Sequence, residues 1–401
     1  MPLTQAQKQK IILTMAAMFF LAVSATDIYL PSLPTIRHDL HATAEEVNLT
    51  LSVFSFAVAF LVLIVGEVSN RYGRRPTILA GSCSFSLAAL LIACLHNIEL
   101  IIVLRFCQGL GCAVIVIVCR LVLKDAMNIS EQIRANGLLL VGLIVSPALA
   151  PVLGAFLANN YGWRSTFVFS SALGFILSLA AWRFIPETNL QRLPKFAALS
   201  YYLNIYAKIS HSRMFWALTG VYAGALGAYF AFIGVASYLY IDYWHLTPQE
   251  FSWLFIWLAL AYLLGNQLMQ LLNRKQYSSH TIVKFGVVAT LAGALILLLA
   301  LLVPKPKWQL GVVTAAIFLM RSANALINPP TQIRIMSYFG EQSAQALGLN
   351  MCIGFSISAL ATAQVSLFTE YPLHDLIYSA VAYVIMAVIT FAVNHKLLQE
   401  S

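Results

Sequence analysis

Charge is what this sequence has least of. Of its 401 residues, 24 are basic and 15 acidic, 10% in all, while 60% are hydrophobic. Soluble domains carry about 25% charged residues, so a water-soluble enzyme could not cover its surface from this stock. Cysteine offers no framework either. Cys83, Cys94, Cys107, Cys112, Cys119 and Cys352 all lie in apolar runs and form no CxxC pair. They read as small packing residues rather than disulfides or metal ligands. None of the eight histidines falls in the middle of an apolar run, which argues against a buried histidine relay. With no credible ligand cluster, neither a metal nor an organic cofactor is expected.

Long apolar runs, by contrast, fill the chain. They lie near 11–30, 48–68, 77–96, 98–120, 136–157, 165–185, 214–241, 251–272, 282–303, 309–332, 344–368 and 375–394. A membrane helix needs about 20 apolar residues, so the reading is an all-α polytopic membrane protein with twelve transmembrane helices. Lys8 and Lys10 before the first run superficially fit a signal peptide, but the many later spans favour an uncleaved first helix. The longest connection divides the chain into two six-helix bundles, 1–185 and 214–401, joined by a linker at 186–213. That linker holds Pro186 and Pro194 and, with its edges, Arg183, Arg192, Lys195, Lys208 and Arg213.

The net charge of +9 is accounted for by topology. With the N-terminus inside, seventeen Lys and Arg fall in inner segments and four (Arg37, Arg164, Lys305, Lys307) in outer ones, the bias expected of a cytoplasmic face. Both termini are therefore expected in the cytoplasm. The cations need the lipid bilayer and no nucleic acid. Asn70-Arg71 ends the second span and Asn273-Arg274 the eighth, an offset of 203. This hints at the six-plus-six duplication in which transporters place a substrate site between the halves.

Ionisable groups within spans cost about 2.5–3.5 kcal/mol each even on lenient scales, so the few present are candidates for function. Asp27 lies near the outer end of span one, Arg105 in the outer half of span four and Arg321 near the middle of span ten. Glu67 and Arg120 sit near inner ends. If protons drive the protein, Asp27 is the acceptor by elimination, with Arg105 at comparable depth as the cation that could alternately engage and release it. A structural role for Asp27 before Pro31 is the alternative. Arg321, Asn324, Asn328 and Gln332 share one helical face by their spacing, and Asn350, Ser358 and Gln364 form a weaker stripe on span eleven. Arg321 could receive an anionic part of a substrate, or the stripe could be a helix–helix network. No carboxylate is evident in the C-terminal spans to neutralise it. Tyr222 and Tyr229, with Phe230 adjacent, could line an apolar pocket or simply pack. Gly220, Gly224 and Ala228 allow close helix contact on the same span.

The loop after span two reads Gly66-Glu67-Val68-Ser69-Asn70-Arg71-Tyr72-Gly73-Arg74-Arg75. It resembles the GxxxDRxGRR signature of the major facilitator superfamily, with Asn70 in place of the usual Asp, which puts the loop's charge network in question. Arg105-Phe106-Cys107-Gln108-Gly109-Leu110-Gly111 is similar to the RxxQGxG motif of proton-coupled members. Gly137, Ser146, Pro147, Ala150-Pro151 and Gly154-Ala155 resemble the antiporter motif of span five, with Ser or Ala for several glycines. Asp27-Ile28-Tyr29-Leu30-Pro31-Ser32-Leu33-Pro34 resembles the DxYLPxLP segment of Bcr/CflA-type drug:proton antiporters. Pro147 to Gly154, Gly162-Trp163-Arg164 and Pro186-Glu187-Thr188 are also like that group.

The resemblance implies the major facilitator fold, alternating access and efflux of small organic molecules against protons, and it reinforces Asp27 and Arg105. The expectation is a monomeric multi-pass antiporter of the bacterial inner membrane, powered by the proton gradient, with a small-molecule substrate. The rivals are export of a carboxylate-bearing metabolite such as a siderophore, uptake by proton symport, and a non-transporting membrane enzyme or sensor. The last would need clustered catalytic groups or a soluble output domain, and the sequence offers neither.

Overall fold

The computed structural model describes residues 4–189, 199–365 and 371–400. Arg192, Pro194 and Lys195 of the expected linker, and the last residues of the eleventh span, lie outside them. Among the described residues the chain is all helix, with twelve helices of nineteen residues or more. These are α1 (Gln5–Asp27), α2 (Ala44–Val62), α3 (Arg74–Cys94), α4 (Ile98–Ala126), α5 (Ile129–Tyr161), α6 (Arg164–Phe184), α7 (Arg213–Ser237), α8 (Pro248–Arg274), α9 (Ser279–Leu299), α10 (Pro306–Phe339), α11 (Ser343–Val365) and α12 (Pro372–Val393). Ten stretches are long and apolar enough to cross a membrane. One of them, Pro306–Gln364, contains both α10 and nearly all of α11. Helix α5 is not among the ten, but at 33 residues it extends about 50 Å at 1.5 Å per residue.

Polar residues set the helix starts. Thr43, Asn128 and Thr247 each accept a hydrogen bond from the backbone N–H three residues on. Glu46, Glu131 and Glu250 reach back to the capping residue, completing reciprocal caps. Asn97, Ser212 and Ser278 cap α4, α7 and α9 by side chain alone.

The chain forms two compact units, Met1–Ala197 and Ala198–Ser401. In the first, α1 packs on α4, α5 and α6, α3 packs on α4 and α6, and α2 packs on α4. In the second, α7 packs on α10, α11 and α12, α9 packs on α10 and α12, and α8 packs on α10. Each pairing in one unit has its counterpart six helices later, the packing expected of a duplicated bundle. The expected linker contains a helix. A helix at Leu199–Ser210 buries Ile205 and Ile209 in the second unit's core with Met214, Phe215 and Leu218, because residues four apart share a helical face.

Helices approach closely where side chains are missing. A methyl on Gly109 would come within 2.6 Å of the Phe54 carbonyl of α2, and one on Gly111 within 2.6 Å of the Gly81 carbonyl of α3. On α7, Gly224 lies against the Tyr383 carbonyl of α12 and Gly220 against Thr390. In lipid, where burial of apolar surface gives helices little reason to associate, such close packing carries much of the attraction.

Candidate functional site

The first site forms where α1 ends. Proline lacks a backbone N–H, so Pro31 and Pro34 cannot continue the helix, and the chain turns through a 3-10 segment at Leu30–Ser32 into a short helix, Leu33–Asp39. Asp27 is the last residue of α1 and is half-buried. The Ser146 hydroxyl of α5 donates to Asp27 Oδ2 across 3.5 Å. Ser146 itself is buried. Two turns further along α5, Gly154 passes directly over the Ile28 carbonyl, where a methyl group would collide. The span-one acid and the span-five motif therefore meet, which neither stretch of sequence indicates alone.

Arg105 is fully buried beside this break. Its Nη1 donates to Gln108 Oε1 at 2.7 Å and to the Ala25 carbonyl at 3.3 Å, and its Nε to the Thr50 carbonyl at 3.3 Å. The guanidinium carbon lies 4.5 Å from the ring centre of Tyr29 and 4.4 Å from that of Phe54, within range of cation–π attraction. The Tyr29 hydroxyl bonds Thr50 Oγ1 at 2.9 Å. Gln108, expected only as a motif residue, is thus the partner that fixes the arginine.

The loop after α2 is a second assembly. Gly73 has φ of +103°, a conformation that favours glycine, and it joins the short helix Val65–Tyr72 to α3. Arg74 bonds Asp125 Oδ2 at 2.8 Å, Ser69 Oγ at 2.6 Å and Asn70 Oδ1 at 2.8 Å. The Glu187 carboxylate accepts from the backbone N–H of Arg74 at 2.8 Å and of Arg75 at 3.3 Å, where a helix N-terminus favours negative charge. Arg75 also donates to the Trp182 carbonyl, and Asn189 donates to the Asn70 carbonyl. The charge put in question by Asn70 is therefore supplied by Asp125 of α4, and Asn70 remains as an acceptor. Arg71 lies over the Tyr72 ring. Gly66 and Gly137 make no close approach: a methyl on either meets nothing within 4 Å. Nearby helix starts are clasped by Lys8 and Glu131 at 2.8 Å. The Lys8 hydrogen bond, with a lesser contribution from the Asn128 backbone, holds the Glu131 carboxyl below its usual range.

In the second unit the structure brings together some of the expected residues and separates others. Arg321 is half-buried and lies 4.2 Å from the ring centre of Tyr229 and 4.8 Å from that of Tyr262. Tyr262, in the apolar run of α8, carries no signal in the sequence. Phe230 meets Tyr229 edge-on with centroids 5.8 Å apart. Asn324 is 1% exposed; both its amide atoms, together with Arg321 Nε and Asn328 Oδ1, are buried without a hydrogen-bond partner. Tyr222 is buried with its ring packed over Gly354 of α11, and it also reaches the Arg321 face, where its side chain hydrogen-bonds Gln332 and lies near Tyr262. On α11, Asn350 is buried and donates to Thr219 at 3.0 Å. Gln364 is exposed and accepts from Tyr383 at 3.1 Å. A buried carboxylate does occur in the C-terminal half, Asp375, 5% exposed in the first turn of α12. It stands at the edge of its apolar run, where the sequence pattern does not separate span from loop.

A family model described as Major Facilitator Superfamily matches residues 15–393. A chloramphenicol resistance protein of Pseudomonas aeruginosa is 30% identical over 288 residues, 71% of this chain and 67% of that protein. A bicyclomycin resistance protein homolog of Haemophilus influenzae is 23% identical over 388 residues, 95% of this chain and 94% of that one. Among solved structures, a bacterial homolog of the human lysosomal transporter Spinster, inward-facing and unoccupied, matches with a TM-score of 0.75 at 14% identity. The match covers 97% of this chain and 96% of that one. A D-xylose-proton symporter matches with a TM-score of 0.71 at 11% identity, covering 96% and 97%. At these identities the structural matches speak for the fold.

Proposed function

The chain belongs to the major facilitator superfamily, a secondary transporter rather than an enzyme, and from that premise we propose that it exports small organic molecules across the bacterial inner membrane in exchange for protons. The contact that carries this reading is Ser146 with Asp27. It joins a half-buried carboxylate at a proline-broken helix end to the helix whose small-residue pattern resembles an antiporter motif. A carboxylate at such a place can hold a proton when desolvated and lose it when water or a cation reaches it. Arg105 fixes the surroundings through the carbonyl two residues before Asp27. Relatives named for resistance to chloramphenicol and bicyclomycin support export of drug-sized molecules.

In proteoliposomes carrying an internal pH reporter, chloramphenicol or bicyclomycin is expected to drive proton movement that Asp27→Asn abolishes while the variant still folds. Undiminished movement in that variant would overturn the reading. A second reading, export of a carboxylate-bearing metabolite, is favoured by one observation: the buried, unpartnered groups around Arg321.

A further inference from the structure

Each unit holds an arginine on its fourth helix, bordered by aromatic rings from its first and second helical segments. In the first unit Arg105 of α4 lies against Tyr29, which follows α1, and Phe54 of α2. In the second, Arg321 of α10 lies against Tyr229 of α7 and Tyr262 of α8. Three residues on, one helical turn, stands an amide in both: Gln108 and Asn324.

The two assemblies are finished differently. Gln108 and two backbone carbonyls take up the Nη1 and Nε donors of Arg105, and only Nη2 of that guanidinium is buried without a partner. Around Arg321 the unmatched set is larger and includes acceptors: among the described residues, Arg321 Nε, Asn324 Nδ2, Asn324 Oδ1 and Asn328 Oδ1 are buried with no hydrogen-bond partner. Native proteins pair the great majority of their buried polar groups, so four unmatched atoms on one helical face indicate groups meant for something the chain does not supply.

We infer that Arg321 is the ligand-recognising member of the pair and that its ligand class is a carboxylate flanked by a hydroxyl or amide N–H on an apolar body. This deepens the second reading above and rests on it. The chemistry follows from the donor set. Aromatic rings attract the guanidinium but leave its N–H groups for oxygen acceptors; carboxylate and phosphate both match it bidentately, and the singly charged carboxylate costs less to desolvate among apolar rings. Asn324 has an amide N–H2 and a carbonyl oxygen both left unmatched, which a hydroxyl or a secondary amide can satisfy together. Residues three apart on a helix have Cβ atoms about 5–6 Å apart, a separation that adjacent groups on one small acid can span. Tyr229 and Tyr262 would meet the apolar body.

The test is equilibrium binding to the full-length protein in lipid nanodiscs, without a gradient, of three probes. Mandelate has the acid and the hydroxyl, phenylacetate lacks the hydroxyl, and methyl mandelate lacks the charge. Mandelate is expected to bind roughly tenfold or more tighter than either comparator, the effect of one charged hydrogen bond. Arg321→Gln should erase the preference for acid over ester, and Asn324→Leu the preference for mandelate over phenylacetate. Trp257→Phe, at an exposed position of α8, should retain both, with thermal melting confirming the fold of each variant. Equal binding of acid and ester by the wild type, no mandelate binding at all, or preferences unchanged in the Arg321 and Asn324 variants would each overturn the inference. Proton movement is read separately. Mandelate binding without any coupled proton flux would sink the export reading and leave the ligand class standing. Drug-driven proton flux without mandelate binding would do the reverse.

Discussion

At the residue scale, the Asp27 neighbourhood depends on what is absent at position 154. With the Ile28 carbonyl where a side chain would begin, Gly154→Ala must push α5 off the end of α1 and lengthen the Ser146–Asp27 contact. Overpacking of this kind costs about 1–3 kcal/mol. The expected result is a lowered thermal midpoint and impaired drug-driven proton flux, whereas Gly137→Ala, which meets nothing, should leave flux unchanged and hold or slightly raise the midpoint. The Lys8–Glu131 clasp gives a pH prediction. Because the carboxyl of Glu131 is held below its usual value, its contribution is present above the unfolded pKa and is lost as pH falls through the folded one. The thermal midpoint of wild type should therefore exceed that of Glu131→Gln near neutrality, and the small difference should vanish in acid.

At the element scale, the loop between α2 and α3 is held by residues from outside its motif. Asp125 comes from the end of α4, and Glu187 follows α6. Removing one partner of a part-buried arginine pair is expected to matter more than altering Asn70, whose amide only accepts. Asp125→Ala should lower transport several-fold and increase proteolysis at the loop, while Asn70→Asp should restore a charge without loss of function; equal effects from both would contradict this division. The sequence makes the loop legible through its glycines and cations, yet is silent on which acid faces Arg74, because 51 residues separate Arg74 from Asp125. The same distance problem hides Tyr262 from Arg321. Helix ends were more readable, since Thr43, Asn128 and Thr247 act within one turn of their own chain. Twelve apolar runs announce twelve helices, but the order at Leu199–Ser210 comes from two isoleucines that a charge-rich stretch conceals.

At the scale of the whole molecule, the duplicated packing of the two units makes the first and second halves variations on one bundle. The offset of Asn70-Arg71 and Asn273-Arg274 gave a single thread of that duplication, while the pairings of α1–α6 and α7–α12 carry it throughout. The division of labour proposed here follows from where they differ: the first unit pairs most of its arginine's donors with protein groups and carries Asp27, and the second leaves a cluster of polar atoms beside its arginine for a ligand. The Lys and Arg distribution predicts both termini in the cytoplasm, so reporters active only in the cytoplasm are expected to work at either end and periplasmic reporters at neither. The most direct measurement of the central claim is drug-driven proton movement in proteoliposomes holding wild type or Asp27→Asn. The account expects chloramphenicol or bicyclomycin to move protons through the wild type and not through the variant. Equal proton movement through both would contradict it.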